Sequence, residues 1–298
     1  MSRPIAAAAL ILTTIIWGLA FVAQKTAMDS LGPLSFAGAR YLLGTICIIP
    51  LARWEYRRAP RQIATSDWSL IALIAISFFF GVWLQQAGLT MTTVTNAGFL
   101  TSVYVLFVPI LALVALRRRP HPVIWLGMPL ALIGVYLLNG ARLDSFNLGD
   151  ALVVLGALAW AVQILLIGIV SERTGLPITI SFICFATTAV LAGGGALAFE
   201  APQLEGFYAS WAEIIYSGIL STAVAFTLQA IAQQYVPPSN AAIILSAEGL
   251  FAAIGGALLL HERLSWIGYL GAGLIFAAIL LVELTPMLRR PPAAGQAR

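Results

Sequence analysis

Two charged residues pose a chemical question before any fold is drawn. Glu248 stands about ten residues into an apolar run that starts near Ser239, and Arg40 about seven residues into one that starts at Pro33. A carboxylate near the midplane of a bilayer costs at least ~2.5 kcal/mol on insertion scales, so an ionisable group there is a functional candidate by default. Glu248 could bind a cationic group, or take up and release a proton as the protein changes state. The bland alternative is a protonated carboxyl bonded to a neighbouring helix. Arg40 lies roughly 10 Å deep at ~1.5 Å rise per residue. It could clamp a substrate carboxylate, or form with Glu248 an ion pair that breaks on transport; otherwise it snorkels outward or ties two helices together.

Around these two, Trp17, Phe21, Trp83, Tyr104 and Trp160 fall deep in apolar runs, with the polar side chains Gln86, Asn96, Ser102, Gln163, Asn240 and Ser246. An apolar cavity holding a few placed polar groups is what a small-molecule site requires. Packing and helix-to-helix hydrogen bonds are the competing use of the same residues. Enzyme chemistry finds no support: there is no His-Glu-x-x-His, no Gly-x-Ser-x-Gly and no phosphate-binding loop, and the two histidines, His121 and His261, fall in separate loops. No cofactor or metal site is expected, since Cys47 and Cys184 lie inside different apolar runs. A channel would call for a filter-like segment or a ring of acids, and neither is present. Lys25, Asp29, Glu200 and Glu205 read as solvated loop charges.

The elements that must position these groups follow from composition. The 298 residues are 60% hydrophobic and 9% charged, against about 25% charged in soluble domains. A spanning helix needs roughly 20 apolar residues, and breaks at charge, Pro and Gly place helices at about 4–24, 33–52, 68–90, 94–116 and 122–139. A second set follows at about 149–170, 177–199, 211–234, 239–260 and 266–285. The first run lacks a small-residue cleavage site and reads as a helix rather than a leader. Pro109 predicts a kink in the fourth.

The two sets superpose. Trp17 matches Trp160, Pro33 matches Pro177, Gln86 matches Gln229, Asn96 matches Asn240, Ser102 matches Ser246 and Trp125 matches Trp266, at separations of 141 to 144. Such agreement argues for duplication. An odd number of helices per copy sends the second copy in from the opposite side. The expected fold is therefore all-α and integral to the membrane, ten transmembrane helices in two inverted five-helix repeats. Repeat one covers 1–140, repeat two 148–285, and 286–298 is a cytoplasmic tail. Lys and Arg in the loops divide twelve to three in favour of the face holding both termini, which makes that face cytoplasmic. The basic residues cluster in loops rather than on an exposed stripe, so nucleic acid is not an expected partner.

Those residues carry a family resemblance. Trp17-Gly18, the run Gly32-Pro33-Leu34-Ser35-Phe36 leading to Arg40, Gly149-Asp150 with Trp160, Pro238-Ser239-Asn240-Ala241-Ala242 with Glu248, and His261-Glu262-Arg263-Leu264-Ser265 resemble the EamA family of the drug/metabolite transporter superfamily. Gly249 stands where the family's Glu-Pro step has proline, and His261 where its Gly-Glu step has glycine. The resemblance implies a ten-helix bacterial inner-membrane permease for small metabolites or xenobiotics, most often an exporter. Its cavity would be lined by helices 1, 3, 4, 6, 8 and 9, with 5 and 10 peripheral. With no nucleotide motif, transport would draw on an ion gradient or substrate exchange. One acid and one base at depth suit a zwitterion such as an amino acid, and aromatic or cationic drugs fit the Trp-rich lining as well. The partners expected are that small molecule and the lipid bilayer, with the protein a monomer or homodimer. Glu262 and Arg263 would fix the end of helix nine.

Overall fold

Every regular element among the described residues is helical. The computed structural model describes residues 1–58, 63–138, 141, 147–261 and 265–288. Arg61, Arg142, Glu262, Arg263, Arg289, Arg290 and Arg298, counted above, lie outside them. In chain order the long helices are α1 (Arg3–Ala27), α2 (Pro33–Arg57), α3 (Thr65–Leu89), α4 (Val94–Val114), α5 (Ile124–Leu138), α6 (Leu148–Thr174), α7 (Pro177–Phe199), α8 (Trp211–Ala232), α9 (Pro238–Leu259) and α10 (Trp266–Leu288). A short helix, Leu204–Ala209, precedes α8 and was not foreseen.

Eight of them are long and apolar enough to cross a membrane. The described apolar stretches of α5 and α10, Ile124–Leu137 and Trp266–Val282, are shorter. Large apolar side chains such as Leu42, Ile46, Leu197, Phe199 and Leu258 stay exposed on the outer faces. A helix apolar all round belongs in lipid or in a large core.

Local chemistry sets the ends. Proline opens α2 and α7 and sits at the second position of α1, where the missing N–H would have had no partner. Asn147 and Asp150 form a reciprocal capping box at the start of α6. Gly175, at φ 69°, ends that helix in the left-handed conformation that glycine adopts without a Cβ clash.

Two contacts establish that the repeats are inverted. At the start of α2, the Leu34 and Ser35 amides donate to Glu200 just beyond the end of α7. At the start of α7, the Ile178 and Thr179 amides donate to Glu55 near the end of α2. Repeat-related helices thus lie side by side and antiparallel. The other pairings obey the same two-fold relation: α1 packs on α8 as α6 packs on α3, and α1 on α9 as α6 on α4, while α5 pairs with α10.

Two helices are interrupted. α4 breaks at Ser102–Val103 and α9 at the repeat-related Ser246–Ala247. The interruption of α4 does not sit at Pro109, where a kink was expected; the second segment runs on through that proline. The break in α4 falls six residues before that proline, and α9 breaks identically with Ala253 in its place. Instead the backbone tightens into i→i+3 bonds, Val105 N to Ser102 O and Gly249 N to Ser246 O. Each serine hydroxyl also bonds back to a carbonyl one turn earlier, Ser102 to Gly98 and Ser246 to Ile243, a habit that bends helices. The helices cross there closely: a Cβ on Gly98 would stand 2.8 Å from the Ala252 Cβ, and one on Gly249 3.1 Å from the Ser102 hydroxyl.

Candidate functional site

Seven helices converge on one cavity of about 430 Å³, its mouth included. Seven of the thirteen residues singled out from the sequence line it: Trp17, Phe21, Arg40, Tyr104, Trp160, Gln163 and Glu248. The interruptions position two of them. Tyr104 and Glu248 are repeat mates, 144 apart, and each is the first residue of the second segment of its broken helix. A local change of backbone at the two-fold axis thereby brings a phenol and a carboxyl face to face.

Their environment is unusual for buried polar groups. Arg40 is 3% exposed and Glu248 4%, yet Arg40 Nε and Glu248 Oε1 each lack a hydrogen-bond partner. So do the hydroxyls of Tyr41, Thr101 and Tyr104 in the same lining. Buried polar atoms in native proteins are overwhelmingly satisfied. Arg40 does not pair with Glu248; an ion pair joins Arg173 to Asp67 at the amino-terminal face, away from both. Its guanidinium instead lies 4.9 Å from the Tyr41 ring centroid and 5.4 Å from that of Phe36, a cation–π contact that leaves the donors in the plane free.

Much of the cavity wall is aromatic. The Trp160 and Phe226 rings stack at 5.5 Å with 19° between planes, and Trp17 lies 4.4 Å from Phe226. Phe78 packs edge-on to Trp160 at 5.2 Å and to Phe226 at 4.7 Å. Both indoles are anchored, Trp17 Nε1 to the Ser221 backbone carbonyl at 3.1 Å and Trp160 Nε1 to the Gln85 side chain Oε1 at 2.8 Å. Amide pairs line the cavity toward both faces. Gln163 and Gln229 donate reciprocally at 3.3 Å toward the amino-terminal face, and Gln85 meets Gln24 toward the other.

Ser221 and Phe226 come from a π-helical stretch, Tyr216–Phe226, within α8. The repeat-related α3 is α-helical throughout. The wider π turn opens carbonyls to α1, where Trp17 and Thr13 take those of Ser221 and Ala225. Such stretches are rare and concentrate at functional sites.

The other six residues singled out stand away from this lining. The Gln86 amide bonds the Gln24 carbonyl, Asn96 reaches Thr92 and Asp150, and Asn240 donates to the Val282 carbonyl. Ser102 spans the crossing to the Ser246 carbonyl at 3.1 Å, and Ser246 bonds within its own helix. Trp83 packs on Phe79 and Phe80. Sequence reasoning passed over Gln24, Tyr41, Gln85, Thr101 and Phe226. Gln24 and Gln85 carried the usable signal, as amides four residues or fewer from helix ends; α2 was not among the helices that the resemblance assigned to the cavity, although Arg40 on it was a clamp candidate.

The chain matches the EamA-like transporter family over residues 4–140 and again over 147–284. It belongs to that family. An uncharacterized transporter of Archaeoglobus fulgidus is 32% identical, the match covering 92% of this chain and 84% of the other. The uncharacterized inner membrane transporter YedA of Escherichia coli K12 is 25% identical over 91% and 88%. A chain of known crystal structure shares the fold, with a TM-score of 0.78 and 17% identity across 97% of this chain and all of that one. This EamA-family chain is thus a multi-pass membrane transporter of two-repeat architecture.

Proposed function

We propose that this EamA-family protein moves a small zwitterionic metabolite, such as an amino acid, across the bacterial inner membrane by alternating access, and does so outward. Arg40 takes the substrate's carboxylate, and Glu248 takes its ammonium group or a proton exchanged in its stead. The observation that carries the reading is the pair of unpartnered charged groups, Arg40 Nε and Glu248 Oε1, in one aromatic-walled cavity. A buried charge left unpaired costs several kcal/mol, and a ligand bearing both complementary charges would offset both costs at once. Trp17, Trp160 and Phe226 would hold its carbon skeleton, with Tyr104 and Gln163 beside it.

Two inverted halves rocking about this cavity would expose it alternately, and the amide pairs toward its two faces would part in turn. The Arg-rich loops put both termini in the cytoplasm. The drive is an ion gradient or exchange.

The test is uptake into proteoliposomes of labelled amino acids and amphipathic cations, with and without a pH gradient, comparing wild type with Glu248→Gln and Arg40→Gln. Gradient-driven accumulation of a zwitterion that falls at least about tenfold in both variants supports the reading. Unchanged transport by Glu248→Gln returns that carboxyl to a scaffold role. Preference for cations lacking a carboxylate removes Arg40 from the site.

A further inference from the structure

Glu200 reads from the sequence as a solvated loop charge and Glu55 does not stand out in it, yet each is spent on the start of a foreign helix. Glu200 accepts from the Leu34 amide at 2.8 Å, the Ser35 amide at 2.7 Å and the Ser35 hydroxyl at 2.6 Å. Glu55 accepts from the Ile178 amide at 3.2 Å, the Thr179 amide at 2.6 Å and the Thr179 hydroxyl at 2.8 Å. The acceptor pattern is the same atom for atom. The donors are repeat mates, 144 apart, and the two carboxylates are 145 apart, one position out of register. The match arises from the duplication, and it places one clasp at each face of the membrane.

The chemistry is that of a helix N-terminus. The first four amides of a helix have no partner within it, and the positive end of the helix dipole favours an anion. A carboxylate donated by another helix satisfies two of those amides and ties the helices together. At the α2 start the fit demands glycine before the helix: a Cβ on Gly32 would fall 2.3 Å from Glu200 Oε2. Between the clasps α2 and α7 pack along their length, backbone to backbone where Gly38 meets Gly193. α2 also packs on α8 and α3, and α7 on α3, α8 and α6. The α2–α7 pair therefore touches cavity-lining helices of both repeats.

We infer that Glu55 and Glu200 are positioning residues that fasten α2 and α7 into one strut, clasped at both faces throughout the transport cycle, about which the remaining helices rock. The clasps stand on the geometry alone; their role as the pivot of transport rests on the alternating-access reading. A pair of gates would instead have one clasp open whenever the cavity opens to that face. Here both are closed at once with equivalent bonds, and the packing between them leaves no joint.

The amides themselves report the answer, because Leu34, Ser35, Ile178 and Thr179 have no other protection. Hydrogen–deuterium exchange, read by mass spectrometry on the full chain in nanodiscs, needs no substrate and so stands apart from the transport reading. Slow, single-population exchange over 33–36 and 177–180 is expected in the wild type. Glu200→Gln should speed the first segment, and Glu55→Gln the second, by at least about tenfold. Two exchange populations at either segment in the wild type, or no change in the variants, would overturn the inference. Disulfides then test the pivot, from Ser35→Cys with Glu200→Cys and from Thr179→Cys with Glu55→Cys, in a Cys47→Ser, Cys184→Ala background. Oxidation that leaves uptake of the transported amino acid within about twofold supports a strut, whereas abolition by either disulfide makes that clasp a gate and sinks the proposal. Should the parent protein carry no amino acid, the transport reading fails while the exchange result still decides the clasps.

Discussion

Glu248 and Arg40 are costly where they stand, and that cost gives them a measurable signature. Replacing the Glu248 carboxyl by an amide of the same shape removes an ionisable group from a buried site in which its Oε1 makes no hydrogen bond. Glu248→Gln should therefore raise the thermal midpoint in detergent by a few degrees, corresponding to about 1 kcal/mol, while transport falls at least about tenfold. A midpoint that drops instead would give the carboxyl a stabilising bond and a structural purpose. The reciprocal Gln163–Gln229 pair predicts the opposite pattern. Gln229→Leu alone leaves its partner's amide unsatisfied and should cost about 1–3 kcal/mol, whereas Gln163→Leu with Gln229→Leu should cost less than the sum of the singles. Chemical-denaturation or thermal data on the four proteins give the coupling directly. From the sequence both glutamines were visible as polar residues in apolar runs. That they face each other was not, because a side chain's partner on another helix has no trace in its own segment.

At the scale of the helix, the break shared by α4 and α9 is the element that makes the cavity. Because α9 breaks without proline, Pro109→Ala should leave the Ser102–Val103 interruption in place and change transport by less than about threefold. A straightened α4, seen as lost transport or as altered cross-linking between the segments either side of Ser102, would hand the break back to Pro109. The crossing itself is intolerant. Gly98→Leu must push a side chain into Ala252 and the Gly249 backbone, and overpacking of that kind costs about 1–3 kcal/mol or more. The expected result is a lowered midpoint and poor membrane yield. Hydropathy revealed where these helices lie to within a few residues but not their interruptions. Nothing in the pattern of Leu, Ile, Val and Ala distinguishes a π turn at Tyr216–Phe226 or an i→i+3 step at Ser246 from regular α-helix, since the choice is made by neighbours such as Trp17 and Ser102.

At the scale of the whole molecule, orientation is the reading with the simplest check. In cells carrying a Cys47→Ser background, a cysteine at Tyr208, on the short exposed helix, should react with a membrane-impermeant maleimide. A cysteine at Arg118 should react only after lysis. The reverse labelling would invert the topology and with it the direction proposed for transport. What the sequence determined by itself is the class of molecule: apolar runs of spanning length, repeated at a near-constant separation of 141 to 144, leave a duplicated, inverted helical membrane protein as the consistent solution, because lipid tolerates few others. Glu248 and Arg40 stood out for the same reason, each being an ionisable residue where hydrocarbon was required. Only the tertiary structure decided that these two share one cavity without pairing, that Tyr104 meets Glu248 across the two-fold axis, and that Glu55 and Glu200 clasp the starts of each other's helices. Those are contacts between residues far apart in the chain, and a periodic apolar pattern records which surface is buried without recording what it is buried against.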